Sequence, residues 1–361
     1  MDPRASALDR AILSFIGRYA AARPPDGEFG ALALRLFEHQ VRHNPAYRKF
    51  CEGRGVRSGR VRDWRGIPAM PASGFRELKV AAFPASRARK VFWTSGTTAA
   101  ARGRHFLDTL KLYEASLVPP FERALLPDGA SCRFFILIAP PREAPHSSLS
   151  HMMGVVARRF SRAAARYSIR GGRSLFDALA RDLGRERRPV MLLATAFSLK
   201  AFLDHLASHH RKLVLPRGSR LFETGGFKGR AAEVSKTRLY RMTARLLGIP
   251  SAWCVSEYGM TELSSQFYDA VAGRPATRRR SMRGPAWTRT LVIDPATGRE
   301  APHGRTGLLR HFDLANRGSV IAVDTEDLGR RAPGGGFELL GRVPASERRG
   351  CSLAYEELTA R

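Results

Sequence analysis

The chain has 361 residues, 61 Lys+Arg against 32 Asp+Glu (a formal charge of +29), and 43% hydrophobic residues including 20 Phe, enough apolar mass for a sizeable core. A mainly disordered chain is thereby excluded, and the length fits about two domains, or one large α/β domain with an appendage. No apolar run approaches the ~18 residues of a membrane span, and no cleavable leader surrounds the short apolar stretch 11–17, so a cytoplasmic protein is expected.

In chain order, residues 7–50 read as helical. Leu8, Ile12, Phe15, Ile16 and Tyr19 share a face, and a second helix over 29–43 is stopped by His43-Asn44-Pro45. Short Gly-, Pro- and Arg-rich loops follow. From about residue 90, apolar strands predicted at 132–139, 190–196, 212–215 and 252–256 alternate with helices at 109–125, 149–165, 174–186, 198–210 and 230–247. Fully apolar strands separated by helices belong to a sheet covered on both faces. After about 285, closely spaced strands at 290–294, 307–313, 319–323 and 336–341 give a β-rich segment.

The charge invites a nucleic-acid reading. The excess is arginine, 53 Arg to 8 Lys, scattered in twos and threes as in Arg278–Arg280. No basic tail, recognition-helix motif or basic stretch interleaved with aromatics accompanies it, so no specific nucleic-acid partner is expected. The cysteines at 51, 132, 254 and 351 form no CxxC, so neither a zinc site nor a disulfide framework is implied.

Four blocks carry candidate chemistry. In Val91-Phe92-Trp93-Thr94-Ser95-Gly96-Thr97-Thr98, a strand runs into small hydroxyl and glycine residues. Their backbone N–H groups and hydroxyls suit phosphate oxygens, although such a stretch also reads as an ordinary turn. No Walker A loop occurs. The second block, Glu223-Thr224-Gly225-Gly226-Phe227-Lys228, pairs glycines between a strand and a helix, where open α/β sheets admit nucleotides; it too reads as a plain turn. The third is Ser256-Glu257-Tyr258-Gly259-Met260-Thr261-Glu262. The fourth is Asp324-Thr325-Glu326-Asp327-Leu328-Gly329 with Gly341-Arg342. The tight cluster His146–His151 has no GxSxG elbow and reads as a helix start capped by Ser148 or Ser150.

In order and spacing, TSGTT, the GG turn, YGMTE, TEDLG and GR resemble the adenylate-forming enzyme superfamily over about residues 30–355. The closer resemblance is to its short branch, the acyl-protein synthetases or luciferin-component ligases, with phenylacetate–CoA ligases as cousins. It implies an α/β large-domain fold without the full C-terminal lid domain. It also implies ATP- and Mg²⁺-dependent activation of a fatty or other carboxylic acid as an acyl-adenylate. Carried over, Thr94, Ser95, Gly96, Thr97 and Thr98 would hold the β- and γ-phosphates, with Gly225 and Gly226 beside adenine and Tyr258 and Gly259 flanking it. Thr261 would contact the α-phosphate and Glu262 would help hold Mg²⁺. Asp327 would bind the ribose hydroxyls, with Arg342 nearby.

The chain departs from the pattern in three ways. Ala99-Ala100-Ala101-Arg102 replaces Gly, Pro and Lys in the phosphate loop, position 345 is Ala where a hinge aspartate stands in relatives, and 19 residues follow Arg342. Lys228 is then the expected transition-state cation. In the resembled branch the acyl group passes to a cysteine near the C-terminus. Cys351, behind Arg348-Arg349-Gly350, is the expected acceptor, because adjacent cations favour the thiolate. Onward acceptors would be an acyl reductase, a carrier protein or coenzyme A. The other readings are a CoA or carrier-protein ligase, a non-catalytic nucleotide-binding scaffold, and a polyanion binder. The expected segments are a helical lead-in (1–89), an α/β nucleotide- and acyl-binding core (90–285), a β-rich segment completing the ATP site (286–342), and a tail with Cys351 (343–361).

Overall fold

The computed structural model describes residues 3–94, 102–225, 234–275 and 280–343. The chain opens with helices α1 (Pro3–Arg18), α2 (Asp26–His43) and α3 (Pro45–Glu52), then β1 (Met70–Pro71), α4 (Gly74–Glu77), and strands β2 (Lys90–Trp93) and β3 (Arg104–Leu107). Next come α5 (Lys111–Leu125), β4 (Arg133–Leu137), α6 (Ser148–Phe160), the short strands β5 (Arg166–Tyr167), β6 (Ile169–Arg170) and β7 (Arg173–Ser174), and α7 (Phe176–Arg185). Then follow β8 (Val190–Thr195), α8 (Ala196–Ser208), β9 (Arg220–Thr224), α9 (Lys236–Leu247), β10 (Cys254–Tyr258) and β11 (Phe267–Tyr268). The described chain closes with β12 (Thr288–Ile293), β13 (Thr306–Asp313), β14 (Ala322–Arg331) and β15 (Phe337–Arg342).

Two compact units are assembled from discontinuous segments: Met1–Ser116, Met260–Ser265 and Arg283–Arg361 form one, Leu117–Gly259 and Gln266–Met282 the other.

In the first unit, β12, β13 and β14 form an antiparallel meander. β14 also pairs in parallel with β1 and antiparallel with β15. Asn44 ends α2 and caps α3, its side chain accepting from the Tyr47 N–H at 3.1 Å with Pro45 in the first turn, where a missing N–H costs nothing. The helices meet the sheet through aromatic edges: the Trp64 ring lies 5.4 Å from that of Phe29 and 4.8 Å from that of Phe312. Buried Gln40 and Asn44 pin the turn after β13. Gln40 donates to Asn316 O at 2.9 Å and accepts from the Ile321 N–H at 2.8 Å, and Asn44 donates to Ser319 O at 3.2 Å. Apolar side chains would leave those backbone groups unpaired.

In the second unit the sheet runs β11-β10-β9-β8-β4-β5, parallel except for the edge strand β11. One face packs Leu179, Leu183, Leu199, Phe202, Leu203, Leu239 and Leu247 from α7, α8 and α9 over Val190, Leu192 and Leu221. On the other face, Phe121 meets Phe134, Phe160 and Phe222 at 5.8–6.4 Å between ring centroids. Helices on both faces explain why β4 and β8 are apolar almost throughout, as their sequences predicted.

Two expectations need correction. Residues 212–215 are not a strand: Leu213 and Leu215 donate to Leu246 O and Leu247 O at the end of α9, and β9 forms instead at 220–224. The cap of α6 is Ser147, which accepts from the Ser150 N–H at 3.1 Å, rather than Ser148 or Ser150. Met152, Met153, Val155 and Val156 of that helix are buried.

Candidate active site

β2 and β3 pair antiparallel, and the Ser/Thr/Gly block lies between them in the sequence. Thr94 donates its N–H to Gly103 O at 2.9 Å, and the Gly103 N–H donates to Thr94 Oγ1 at 2.8 Å, extending the pairing. A Cβ at Gly103 would stand 3.0 Å from Thr94 Cγ2 and 3.2 Å from the Phe75 carbonyl, so only glycine fits there without displacement. The Thr94 hydroxyl accepts from Gly103 and still carries a proton to donate. Ser95, Gly96, Thr97, Thr98, Gly226, Lys228 and Cys351 lie outside the described residues.

Also in the first unit, residues 260–265 begin with a turn in which the Leu263 N–H donates to Met260 O at 3.2 Å. Thr261 Oγ1 donates to Trp93 O at 3.5 Å, placing it beside the end of β2. Glu262 is 8% exposed, and burial pushes its carboxyl up to about 7, opposed by its own backbone N–H and by the Arg342 and Arg76 cations. Asp327 and Arg342 are cross-strand partners on β14 and β15, with Arg342 Nε donating to Asp327 Oδ1 at 3.0 Å. Thr94, Thr261, Glu262, Asp327 and Arg342 therefore belong to one unit. Among the described residues, no cluster of three His, Cys, Asp or Glu is built to hold a metal ion. The buried Glu262 carboxylate is an oxygen donor of the kind a hard cation such as Mg²⁺ takes.

In the second unit, Gly225 and Tyr258 leave the carboxyl ends of neighbouring parallel strands, β9 and β10, where Thr224 pairs with Glu257. Open α/β sheets bind ligands at such strand ends. Gly225 has φ +74° with nothing within 4 Å of its Cβ position, so its backbone conformation, not crowding, requires glycine. A Cβ on Gly259 would collide with Glu257 Oε1. The Tyr258 ring lies 5.9 Å from that of Phe267. Glu257 accepts from the Thr224 hydroxyl, and burial pushes its carboxyl up to about 7. Glu223 accepts from Tyr240 OH at 3.0 Å, and Lys236 Nζ lies 3.6 Å from Glu223 and 3.5 Å from Asp269. Arg280 supplies a second cation to Asp269 at 3.2 Å. Cys51, Cys132 and Cys254 are buried free thiols with pKa values raised by burial, and so unreactive.

Sequence reasoning missed His105, Asp313 and Asn316, and gave no role to Glu257, which stands inside its third block. Asp313 and Asn316, in a polar turn after a strand, look like turn residues, and nothing local marks His105.

No family model matches the chain. The long-chain-fatty-acid–luciferin-component ligase of Vibrio harveyi is 20% identical to it over 339 residues, covering 90% of this chain and 86% of that protein. The structure of 2-hydroxyisobutyryl-CoA ligase in an open conformation, with 2-HIB-AMP and CoA, superposes with a TM-score of 0.65 at 16% identity, covering 90% of this chain and 72% of that one. The same ligase in its postadenylation state gives a TM-score of 0.63 at 15% identity, covering 88% and 68%. The chain thus has the fold of an adenylate-forming CoA ligase and bears out, along nine-tenths of its length, the resemblance to the luciferin-component ligases.

Proposed function

We propose that this protein is an ATP-dependent acid–thiol ligase that activates a fatty or other carboxylic acid as its acyl-adenylate and transfers the acyl group to a protein thiol, first Cys351. The observation that carries the reading is the grouping of Thr261, Glu262, Asp327 and Arg342 in one unit with the paired strands β2 and β3. An enzyme of the ligase type is what the curated relative and the fold support, and the relative's name supports a long-chain acid.

The substrate carboxylate attacks the α-phosphorus of ATP; the bond to the bridging oxygen breaks, pyrophosphate leaves and acyl-AMP forms. A thiolate then attacks the acyl carbon, AMP leaves and a thioester remains. Catalysis of this kind rests on positioning and charge neutralisation. Thr261 donates toward the α-phosphate. Asp327, an acceptor held in place by Arg342, receives the ribose hydroxyls, and Lys228 and Arg342 supply positive charge. Glu262 would hold Mg²⁺, which neutralises phosphate charge when bound. A carboxyl raised to about 7 without a cation is lowered into its ionised form by one. Gly225, Gly226, Tyr258 and Gly259 are assigned to adenine.

The test is pyrophosphate release from ATP–Mg²⁺ with a panel of carboxylic acids, alongside intact protein mass. Acid-dependent release with an acyl adduct on the Cys351 peptide is expected. Release without an adduct, undiminished in Cys351→Ala, moves the acceptor to coenzyme A or a carrier protein. Silence with every acid refutes the ligase.

A further inference from the structure

We propose that His105, Asp313 and Asn316 form a clamp that positions Thr261 and Glu262 against the paired strands β2 and β3. This inference rests on the ligase reading and deepens it by naming residues that set the geometry of that site without touching a substrate.

The three side chains are 2%, 1% and 1% exposed, and each engages the backbone of Thr261–Ser265. His105 lies on β3 opposite Phe92, and its Nδ1 is 2.7 Å from Thr261 O. A carbonyl only accepts, so Nδ1 carries the proton. Burial lowers this imidazole to about 4, the ring is neutral, and Nε2 accepts from Ser319 Oγ at 3.2 Å. The tautomer follows from its two partners.

Asn316 donates Nδ2 to Glu262 O at 2.7 Å and to Val320 O at 3.2 Å, and its Oδ1 accepts from Ser264 Oγ at 2.7 Å. Asp313 receives four donors. The Ser264 and Ser265 N–H groups reach Oδ2 at 2.9 and 2.8 Å; Ser265 Oγ and the Ala315 N–H reach Oδ1 at 2.8 and 2.9 Å. Those donors compensate the desolvation of a buried carboxylate. Trp287 Nε1 donates to Ser265 Oγ at 3.1 Å, which leaves that hydroxyl's proton for Asp313.

The clamp takes only main-chain atoms of Thr261 and Glu262. The Glu262 carboxylate and the Thr261 hydroxyl, which meets Trp93 O at 3.5 Å, take no part in the clamp; His105 and Asn316 hold the two carbonyls, and Asp313 holds the N–H groups of Ser264 and Ser265 just beyond. Because β3 pairs with β2, which ends at the Ser/Thr/Gly block, His105 ties this strand pair to the residue assigned to the α-phosphate. A displacement of about 1 Å between such groups costs on the order of 10²-fold in rate.

The test compares His105→Asn with His105→Gln in the full-length protein. The Asn amide nitrogen stands where Nδ1 does and keeps a donor for Thr261 O; the Gln amide reaches the Nε2 position and does not. With equal Tm, His105→Asn is expected to retain kcat for pyrophosphate release within about threefold. His105→Gln should lose roughly 10–10²-fold, with the KM for the acid changed much less. Amide hydrogen exchange over residues 260–266, read without substrates, should be faster in His105→Gln than in His105→Asn. An active wild type with indistinguishable variants, or losses that track Tm alone, overturns the clamp and leaves the ligase standing. A wild type silent on every acid overturns the ligase reading and the clamp's catalytic role with it.

Discussion

Replacing Glu257 by Gln removes a charge from the interior of the second unit and preserves the carbonyl oxygen that accepts from Thr224. Glu257 is 5% exposed. Its carboxyl is raised from 4.5 to about 7, chiefly by burial and further by Glu223, against the Thr224 hydrogen bond. Below pH 4.5 the folded and unfolded carboxyls are both protonated, and the full stability contribution is present. As pH rises, the unfolded chain releases its proton first, so stability falls until the folded group ionises near 7. The loss at alkaline pH is about 1.4 kcal/mol for each pH interval between the two pKa values, roughly 3 kcal/mol in all. Glu262 and Asp313, raised to about 7 and about 6, add their own losses, but these are common to both proteins and cancel in the difference. Urea unfolding of wild type and Glu257→Gln from about pH 4.5 to about pH 8 therefore isolates Glu257. The variant should gain roughly 3 kcal/mol relative to wild type across that range. Parallel stability–pH curves would refute the reasoning, because they would mean that Glu257 titrates alike in the folded and unfolded chain.

In the first unit, Arg317 is buried between Asp9, at 2.7 and 3.1 Å, and Asp108, at 2.9 Å through two nitrogens. Arg317→Met strands both carboxylates and should cost about 3–5 kcal/mol in urea unfolding; a loss below about 1 kcal/mol would show that water compensates them. Gly259→Ala forces its Cβ onto Glu257 Oε1 and should destabilise by about 1–3 kcal/mol. Most of that loss should vanish in a Glu257→Ala background, and additive losses would refute the collision. Asp327→Asn leaves the exposed Arg342 without its carboxylate, which costs little stability. It should raise the KM for ATP about tenfold in the pyrophosphate assay, since one ribose acceptor becomes a donor; an unchanged KM removes Asp327 from the nucleotide site.

The apolar runs at 133–137 and 190–195 were legible because strands buried on both faces need uninterrupted hydrophobic sequence. The stretch 212–215 looked similar, yet its backbone pairs with the end of α9. Composition records burial but not which partner satisfies the N–H groups. The motif blocks were readable for a comparable reason: small hydroxyl residues, glycines and isolated carboxylates keep their chemical character whatever surrounds them. Order and spacing along the chain were enough to bring out the resemblance that the fold and the curated relative bear out.

What the string withheld is the set of side chains that act through something distant in sequence. His105 meets Thr261 across 156 positions and Asp313 meets Ser265 across 48, while residues 260–265 join a unit built mostly of segments far from them. Glu257 looks like any strand-end glutamate until the sheet and its covering helices remove water from around it. Local sequence alone determined most of the elements and the chemical vocabulary of the site. Tertiary packing decided which polar groups are desolvated and paired, and so which carboxyls keep their protons near neutrality. The physical reason is that desolvation and hydrogen bonding depend on distances in space, which the order of residues along the chain does not contain.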